Sequence, residues 1–581
     1  MRLLIITLLY SFSFIHAQIP KFDWIIPEGY KSNIGYFQLT TDVNSNTIVS
    51  IEYLLSPFEV CNESHNLNTE HTAVIFLIKY DPQGHCVWMH QLTDNVTGVI
   101  DAGLFLSTDL QGNILIAGAH RGKVWLDSEN YIQSPDGVGE GFVSKLDPNG
   151  KLLWYRLIKN ENGKFGNVSA IGVTCDLEGN TYLSTWHSNG HLILDSILIE
   201  YRSNEGGFKT SLLKLDTEGN LLWYKKFEAN SSIFQNIKVN SLQQVVVAGS
   251  FYGRELWVDQ SVLLNRDTFQ PDITHDAVLL VLNENGNVEY LHSIGGLGTE
   301  YIYQLEIDKK NNIFLGGSTG SKEFEILSKK IFRLSSSKPG INFIAKIKPD
   351  YQLEWLYEDH VLDWYGMSYF ILNNNQDLWT CWNLNKDSIY INNTPFVSPG
   401  SSSPDLIYIR FTNLGSIDKV FQLNGKGREG AIGIGHCGLH PDGGLVISGK
   451  FTSDTLYFGD YALPKVARKQ IGDQYTSSAF IARISPDGMV GSEDLRNQKS
   501  SLISIHPNPT RDIIQIHFDE DLGADGRVEI LTSTGTLMKS LRIGKGSTST
   551  TVVVRAWPAG VYFVRYRDTE GRSSVERVVV E

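Results

Sequence analysis

Two histidines four residues apart with a cysteine between them can share one divalent metal ion when a helix carries all three on one face. His436, Cys437 and His440 have that spacing, and His187 and His191 repeat it without the thiol. Both sets flank turn sequence, Pro441-Asp442-Gly443-Gly444 in one case and Ser188-Asn189-Gly190 in the other. Helical spacing has no force next to a strand, so no metal site is expected. The other residues able to do chemistry are the aspartates of a recurring Asp-x-x-Gly-x-x-x-Trp pattern, as in Asp147 to Trp154 and Asp216 to Trp223. An Asp in that setting is expected to accept hydrogen bonds from its own turn, with calcium ligation as the alternative. No Gly-rich phosphate loop or His-Glu-x-x-His occurs, and no nucleophile elbow is assigned. The expectation is therefore no catalytic residue, no cofactor and no metal. Acidic residues are too widespread for carboxylate pairs to be picked out before the fold is known.

The elements that position these residues are repeats. Seven copies of an apolar run and a tight turn, most leading to an aromatic residue, follow one another, with Gly84, Gly150, Gly219, Gly286, Tyr351, Gly415 and Gly488 at the turn position. Successive intervals are 66, 69, 67, 65, 64 and 73 residues. A second motif alternates with the first, a turn followed by an apolar run, as at Asp109 to Gly118, Asp308 to Gly317 and Pro441 to Gly449. Each motif reads as two strands joined by Asp, Asn and Gly residues that tolerate left-handed backbone angles. Two hairpins make four strands, and four-stranded antiparallel sheets set around an axis make a propeller. Trp88, Trp154, Trp223 and Trp355 then fall on fourth strands, while Gly150, Gly219 and Gly286 form the turns before them. The last repeat stops at Val490 without a fourth strand, and Lys21 to Ile26 resembles Leu152 to Leu157. Trp24 precedes Trp88 by 64 residues, so the N-terminal strand is expected to complete the final blade and remove two sheet edges.

Composition agrees with strands. The chain has 581 residues, with 25 Tyr, 27 Phe, 12 Trp, 53 Gly and 5 Met, and no long amphipathic helical stretch. Arg2, the apolar run Leu3 to Ile15 and the small Ala17 form a signal-peptide layout over residues 1–17. That run falls short of the roughly 20 apolar residues that span a bilayer, and no transmembrane segment is expected in the mature chain. Five cysteines (Cys61, Cys86, Cys175, Cys381, Cys437) are an odd number without a Cys-x-x-Cys pair. A disulfide framework is not expected, although Cys61 and Cys86 lie close enough in sequence to pair. The net charge is −14, and residues 502–581 contribute nothing to it, so the acidic body repels phosphate backbones. Nucleic acid is not an expected partner.

The stretch Asp276-Ala277 through Gly295-Gly296 to Asp308-Lys309-Lys310-Asn311-Asn312 resembles the bacterial β-propeller repeats of the SBBP type. The likeness runs from about Ile19 to Asp494 and weakens at Tyr351 and between Leu372 and Trp382, where turn glycines are lost. It implies extracellular scaffolding or binding, since these repeats share no catalytic residues. The aspartates are similar to the sialidase Asp box only superficially, because the register differs. There the Asp stands two residues before the Gly, and here it stands three before.

After the polar stretch 491–501 the pattern changes. Pro507-Asn508-Pro509, then Ser533-Thr534-Gly535, then Gly560-Val561-Tyr562 follow in order. These residues resemble the type A C-terminal sorting domain of type IX secretion. The resemblance implies a small immunoglobulin-like β-sandwich over 502–581 that docks on outer-membrane export machinery through Pro507, Asn508, Pro509, Gly535, Gly560 and Tyr562.

The chain is thus expected to be all-β, with a signal peptide at 1–17, a seven-bladed propeller at 18–490, a linker at 491–501 and a sorting sandwich at 502–581. It is expected to be secreted or attached to the outer cell surface. The favoured role is a non-catalytic scaffold that binds an unknown protein or glycan through long loops, with Gln133 to Glu140 and Arg254 to His275 as candidates. The competing role is a propeller hydrolase or lyase acting on polysaccharide.

Overall fold

The computed structural model describes residues 19–28, 34–53, 58–61, 63–65, 74–93, 98–135, 138–163, 168–188, 190–202, 207–271, 273–327, 329–332, 341–359, 367–384, 388–391, 394–397, 405–423, 429–430, 437–451, 455–458, 461–464, 478–490, 503–506, 510–518, 525–532, 537–569 and 573–580. They are almost wholly β-strand and turn, and they divide into two units, Met1–Met489 and Val490–Glu581.

The first unit is a succession of antiparallel sheets. Sheet I comprises Ile34–Thr41, Thr47–Tyr53, Val74–Tyr80 and Cys86–Gln91. Sheet II comprises Gly98–Thr108, Ile114–Trp125, Glu140–Leu146 and Leu152–Asn160. Sheet III comprises Val168–Cys175, Thr181–Ser188, Phe208–Leu215 and Leu221–Glu228. Sheet IV comprises Ser231–Val239, Val245–Tyr252, His275–Leu282 and Val288–Gly296. Sheet V comprises Glu300–Ile307, Ile313–Thr319, Ile341–Ile347 and Leu353–Asp359. Sheet VI comprises Met367–Leu372, Leu378–Leu384, Asp405–Phe411 and Ile417–Leu423. Sheet VII comprises Cys437–Leu439, Leu445–Phe451, Ser478–Val490 and, as its last strand, the N-terminal Ile19–Glu28.

Burial along each sheet explains its sequence. Val74–Tyr80, Glu140–Leu146 and Ile341–Ile347 are buried at every position, because a sheet lies against each face. Fourth strands such as Leu221–Glu228 mix buried, half-buried and exposed residues, as edges do. Apolar side chains of neighbouring sheets share clusters: Val246 and Leu279 of sheet IV pack with Leu315 and Phe343 of sheet V. Val446 and Ile481 of sheet VII likewise pack with Val49 and Phe76 of sheet I.

Hairpins in the long connections cross to the preceding sheet. Leu192–Leu194 pairs with Leu152–Asn160, Glu255–Val258 with Leu221–Glu228, and Glu323–Ile326 with Val288–Gly296. Each crossing ties two sheets together by backbone hydrogen bonds. Cys61 and Cys86 form a disulfide. Cys175 and Cys381 are free thiols, both pushed up to about 12 by burial.

In the second unit, Ile503–His506, Ile513–Phe518 and Ser549–Val553 form one sheet. Leu537–Ile543, Gly526–Thr532, Gly560–Asp568 and Ser573–Val580 form the other. Ile514 and Ile516 of the first share a core with Val528, Val564 and Tyr566 of the second. The alternating burial of Ile513–Phe518 follows from that one-sided packing.

Candidate functional site

The turn residues bind one another and do not form an open site. Asp109 accepts backbone hydrogen bonds from Gln111 and Asn113 on Oδ1, and Asn113 Nδ2 and Lys145 Nζ, the latter at 2.8 Å, on Oδ2. Burial pushes this carboxyl up, but Lys145 and Asn113 outweigh it and hold it below its ordinary range. Lys79 pairs in the same way with Asp42 at 3.0 Å. The pairing lysine is the one that recurs two residues before the turn Asp of the first motif, as Lys79 before Asp81 and Lys145 before Asp147. In the Asp-x-x-Gly-x-x-x-Trp turns, Asp147 Oδ1 accepts from the N–H groups of Asn149 and Lys151, and Asp216 accepts from those of Glu218 and Asn220 on Oδ1 and from Asn220 Nδ2 on Oδ2.

The tryptophans reach across sheet boundaries. Trp154 Nε1 donates to Thr217 O at 2.8 Å, and its ring lies over Gly219. Trp24 reaches Pro82 O, Trp88 reaches Pro148 O, Trp223 reaches Glu284 O and Trp355 reaches Asn413 O. Each acceptor stands two residues before the turn position of the next repeat, and rings accordingly cover Gly84, Gly150, Gly286 and Gly415. Where Tyr351 replaces the glycine, Tyr290 replaces the tryptophan, and the two rings stack 4.0 Å apart.

The histidines are held apart by structural roles. His440 is buried between Thr47 Oγ1 at 3.1 Å and Arg483 Nε at 3.0 Å, and burial next to Arg483 pushes it down to about 4. His187 is pushed down to about 4 by burial and packs on Tyr201. His191 Nδ1 accepts from Tyr201 N. His436 lies outside the described residues. Among the described residues no group of three or more His, Cys, Asp and Glu is placed to hold a metal ion. Gly316-Gly317-Ser318-Thr319-Gly320 spells the Gly-x-Ser-x-Gly of a nucleophile elbow. Ser318 is buried within a strand, with no helix after it, so the strained exposed turn is absent.

Open volume and charged groups meet in a cavity at the boundary of sheets IV and V. It measures about 610 Å³ and lies where the hairpin Glu323–Ile326, Lys329–Phe332 of sheet V crosses onto the end of sheet IV. Arg266, Leu297, Lys322, Glu323, Glu325 and Lys330 line it together with glycines 295, 296 and 320. Arg266 comes from the segment Arg254 to His275. Two carboxyls support the wall from below. Asp276 Oδ2 accepts Arg266 N–H at 2.9 Å, and a side chain on Gly295 would strike the same carboxyl. Glu300 accepts Thr319 Oγ1 and Ser321 Oγ at 2.6 Å each and Gly296 N–H at 3.1 Å. Both residues are fully buried.

Burial pushes Asp276 up to about 7, and the nearby Glu300 charge adds to this against the pull of Arg266. The unfolded chain releases this proton near pH 3.8, whereas the folded chain keeps it to about 7. This group's contribution to stability is therefore complete below pH 3.8 and is lost as the pH rises through 7. Asp276→Asn is expected to melt higher than the wild type at pH 8 and to differ little from it at pH 4. Spread over that window the gain is on the order of 4 kcal/mol. Equal melting shifts at the two pH values would show that Asp276 ionises normally.

In the second unit Gly560 is exposed at the start of its strand, and Tyr562 is buried with its hydroxyl donating to Pro558 O at 2.8 Å. Pro507, Asn508, Pro509 and Gly535 lie outside the described residues.

The arrangement defines an all-β protein in which a small C-terminal unit follows a body of repeated sheets. Residues 504–581 match the secretion system C-terminal sorting domain family. The chain is accordingly secreted through the type IX route and attached to the cell surface. Over 150 residues it is 26% identical to an uncharacterized WD repeat-containing protein of Acanthamoeba polyphaga mimivirus, covering 24% of this chain and 10% of that protein. The chain thus spans about a tenth of that relative's length. Among solved structures it is similar to a Dyadobacter fermentans protein of unknown function (9% identity, TM-score 0.37, covering 81% of this chain and 99% of that one). It is also similar to the polysaccharide lyase Uly1 (9%, TM-score 0.38, 81% and 100%) and to the phage phi92 endosialidase (8%, TM-score 0.36, 96% and 87%). None of these likenesses bears on ligand or reaction.

Proposed function

We propose that residues 18–490 form a closed seven-bladed β-propeller of SBBP-like repeats, started by signal removal after residue 17 and completed by the N-terminal strand, and that it acts as a non-catalytic binding scaffold at the cell surface. Closure is supported by contacts between its ends: Thr41 Oγ1 donates to Leu439 O at 2.8 Å, and apolar residues of sheets VII and I share one cluster. It is supported again by a central channel of about 330 Å³, lined by the first strands at 38–41, 105–107, 172–174, 235–238, 304–306, 369–371 and 437–439. In this reading residues 502–581 form the immunoglobulin-like sorting sandwich, with its Pro-Asn-Pro entry and Gly560-Val561-Tyr562 strand engaging the export machinery.

The binding role rests on one observation. In the cavity at the boundary of sheets IV and V both lining carboxylates are already paired, Glu323 with Lys330 and Glu325 with Arg266, while Asp276 and Glu300 are buried behind the wall. A polysaccharide hydrolase or lyase needs acid and base groups that reach the substrate and are free to exchange protons with it, not committed to a cation partner. The mature chain, incubated with immobilised glycans and assayed in parallel for reducing sugar, is expected to retain ligand without releasing product. Sugar release that scales with enzyme concentration would replace this reading with the catalytic one.

A further inference from the structure

We infer that the cleft between sheets IV and V is a subsite for a neutral, hydroxyl-rich ligand, an oligosaccharide; this names a ligand class for the scaffold role proposed above and rests on it. The inference comes from how the charged groups are arranged. Arg266 Nη1 lies 3.3 Å from Glu325 Oε2, and Lys330 Nζ lies 3.2 Å from Glu323 Oε1. Glu323 and Glu325 stand two apart on one strand and so share a face, and Lys330 is the cross-strand partner of Glu325. The wall therefore carries donors and acceptors that alternate and already satisfy one another. A polyanion needs unpaired cations, and three cations against two carboxylates leave an excess of one at most.

A sugar hydroxyl both donates and accepts. Vicinal hydroxyls fit beside such an ion pair by giving a hydrogen bond to the carboxylate and taking one from the cation, without breaking the pair. Leu297, 65% exposed, supplies the apolar surface that the C–H face of a pyranose covers.

The wall is also formed before any ligand arrives. Arg266 Nε and Nη2 donate to Ser293 Oγ and Ser293 O at 3.1 Å each, while its backbone N–H is held by Asp276. The hairpin opposite is fixed by the pairing of Gly295 with Glu325 and of Gly296 with Phe324. Groups held this way lose little freedom on binding. The volume lies within the range of small-molecule sites, about 300–1,000 Å³.

The test is calorimetric titration of the mature full-length chain with neutral trisaccharides built on glucose, galactose, mannose, xylose and rhamnose, with trigalacturonate and inorganic phosphate as charged probes. At least one neutral trisaccharide is expected to bind. Glu325→Gln and Glu323→Gln are each expected to weaken it about tenfold, the loss of one charge-assisted hydrogen bond. Tyr131→Ala, on a hairpin of sheet II, is expected to leave it unchanged. Both glutamate variants keep side-chain size at part-exposed positions, and unchanged melting temperatures certify their fold. Binding of trigalacturonate or phosphate in preference to every neutral sugar overturns the inference. So does silence across the panel, and so does neutral-sugar binding that ignores both glutamate changes. In the last case the scaffold reading stands and the site moves elsewhere; release of product from any bound sugar is what would end the scaffold reading itself.

Discussion

A chain that begins at residue 29 is expected to melt at least about 5 °C below one that begins at residue 18, and to self-associate where the longer chain stays monomeric. The N-terminal strand contributes on both faces of its sheet. Phe22 and Ile25 pack into the cluster shared by sheets VI and VII, with Phe22 edge-on to Phe458 at 5.0 Å. Trp24 and Ile26 pack into the cluster shared by sheets VII and I, and Trp24 Nε1 donates to Pro82 O. Asp23 accepts from Arg483 and Ser485 of the neighbouring strand. Four half-buried apolar side chains at about 1 kcal/mol each, with the strand's hydrogen bonds, put the loss near 6 kcal/mol. Removal also bares the edge of Ser478–Val490, whose apolar residues Phe480 and Ile481 are fully buried in the complete unit. An unpaired apolar edge recruits strands from other copies. Calorimetry and light scattering on the two chains decide the matter, and equal melting with a monomeric short chain would mean that the ring does not depend on this strand.

What the residues disclose on their own is what is local. A hairpin needs a short turn and two apolar runs, so the strands around Gly150 and Gly219 are visible in the sequence, as is the match of Lys21 to Ile26 to a fourth strand. The partner of each tryptophan was not visible. Periodicity relates Trp154 to Trp223, but the contact runs from Trp154 to Gly219, between different positions of different repeats. Lys145 was hidden for a similar reason, since its buried pairing with Asp109 joins the two motifs that had been read separately. The cleft depends on a hairpin that leaves its own sheet to join the one before it, and no spacing announces such a crossing. Asp276 was legible as the opening of a repeat-like stretch but not as a buried acid, and within a chain of net charge −14 only burial marks Glu300 out from other acids. Arg254 to His275 was legible as a long connection, though not as the source of Arg266 in a cavity wall.

Trp154→Ala is expected to cost about 3–5 kcal/mol, the range for removing a large buried aromatic. Its side chain is 9% exposed, it donates to Thr217 O across the sheet boundary, and its ring fills the space that a side chain at position 219 would take. Gly219→Val should be comparably harmful for two reasons. The backbone there has φ of 82°, which branched residues resist, and a Cβ would lie 2.7 Å from the Trp154 ring. Contacts of this kind predict coupling between the two positions, and the chain contains its own comparison in Tyr290 and Tyr351, which stack with 15° between their planes. Tyr290→Trp alone enlarges a ring over a tyrosine, and Tyr351→Gly alone leaves a gap under one, so each single change is expected to destabilise by about 1–3 kcal/mol. The double variant installs the Trp-over-Gly arrangement seen at five other boundaries and should recover at least about 1 kcal/mol of the summed loss in urea unfolding. Strictly additive losses would mean that the two rings touch without depending on each other, and that the sheets are held by their apolar clusters alone.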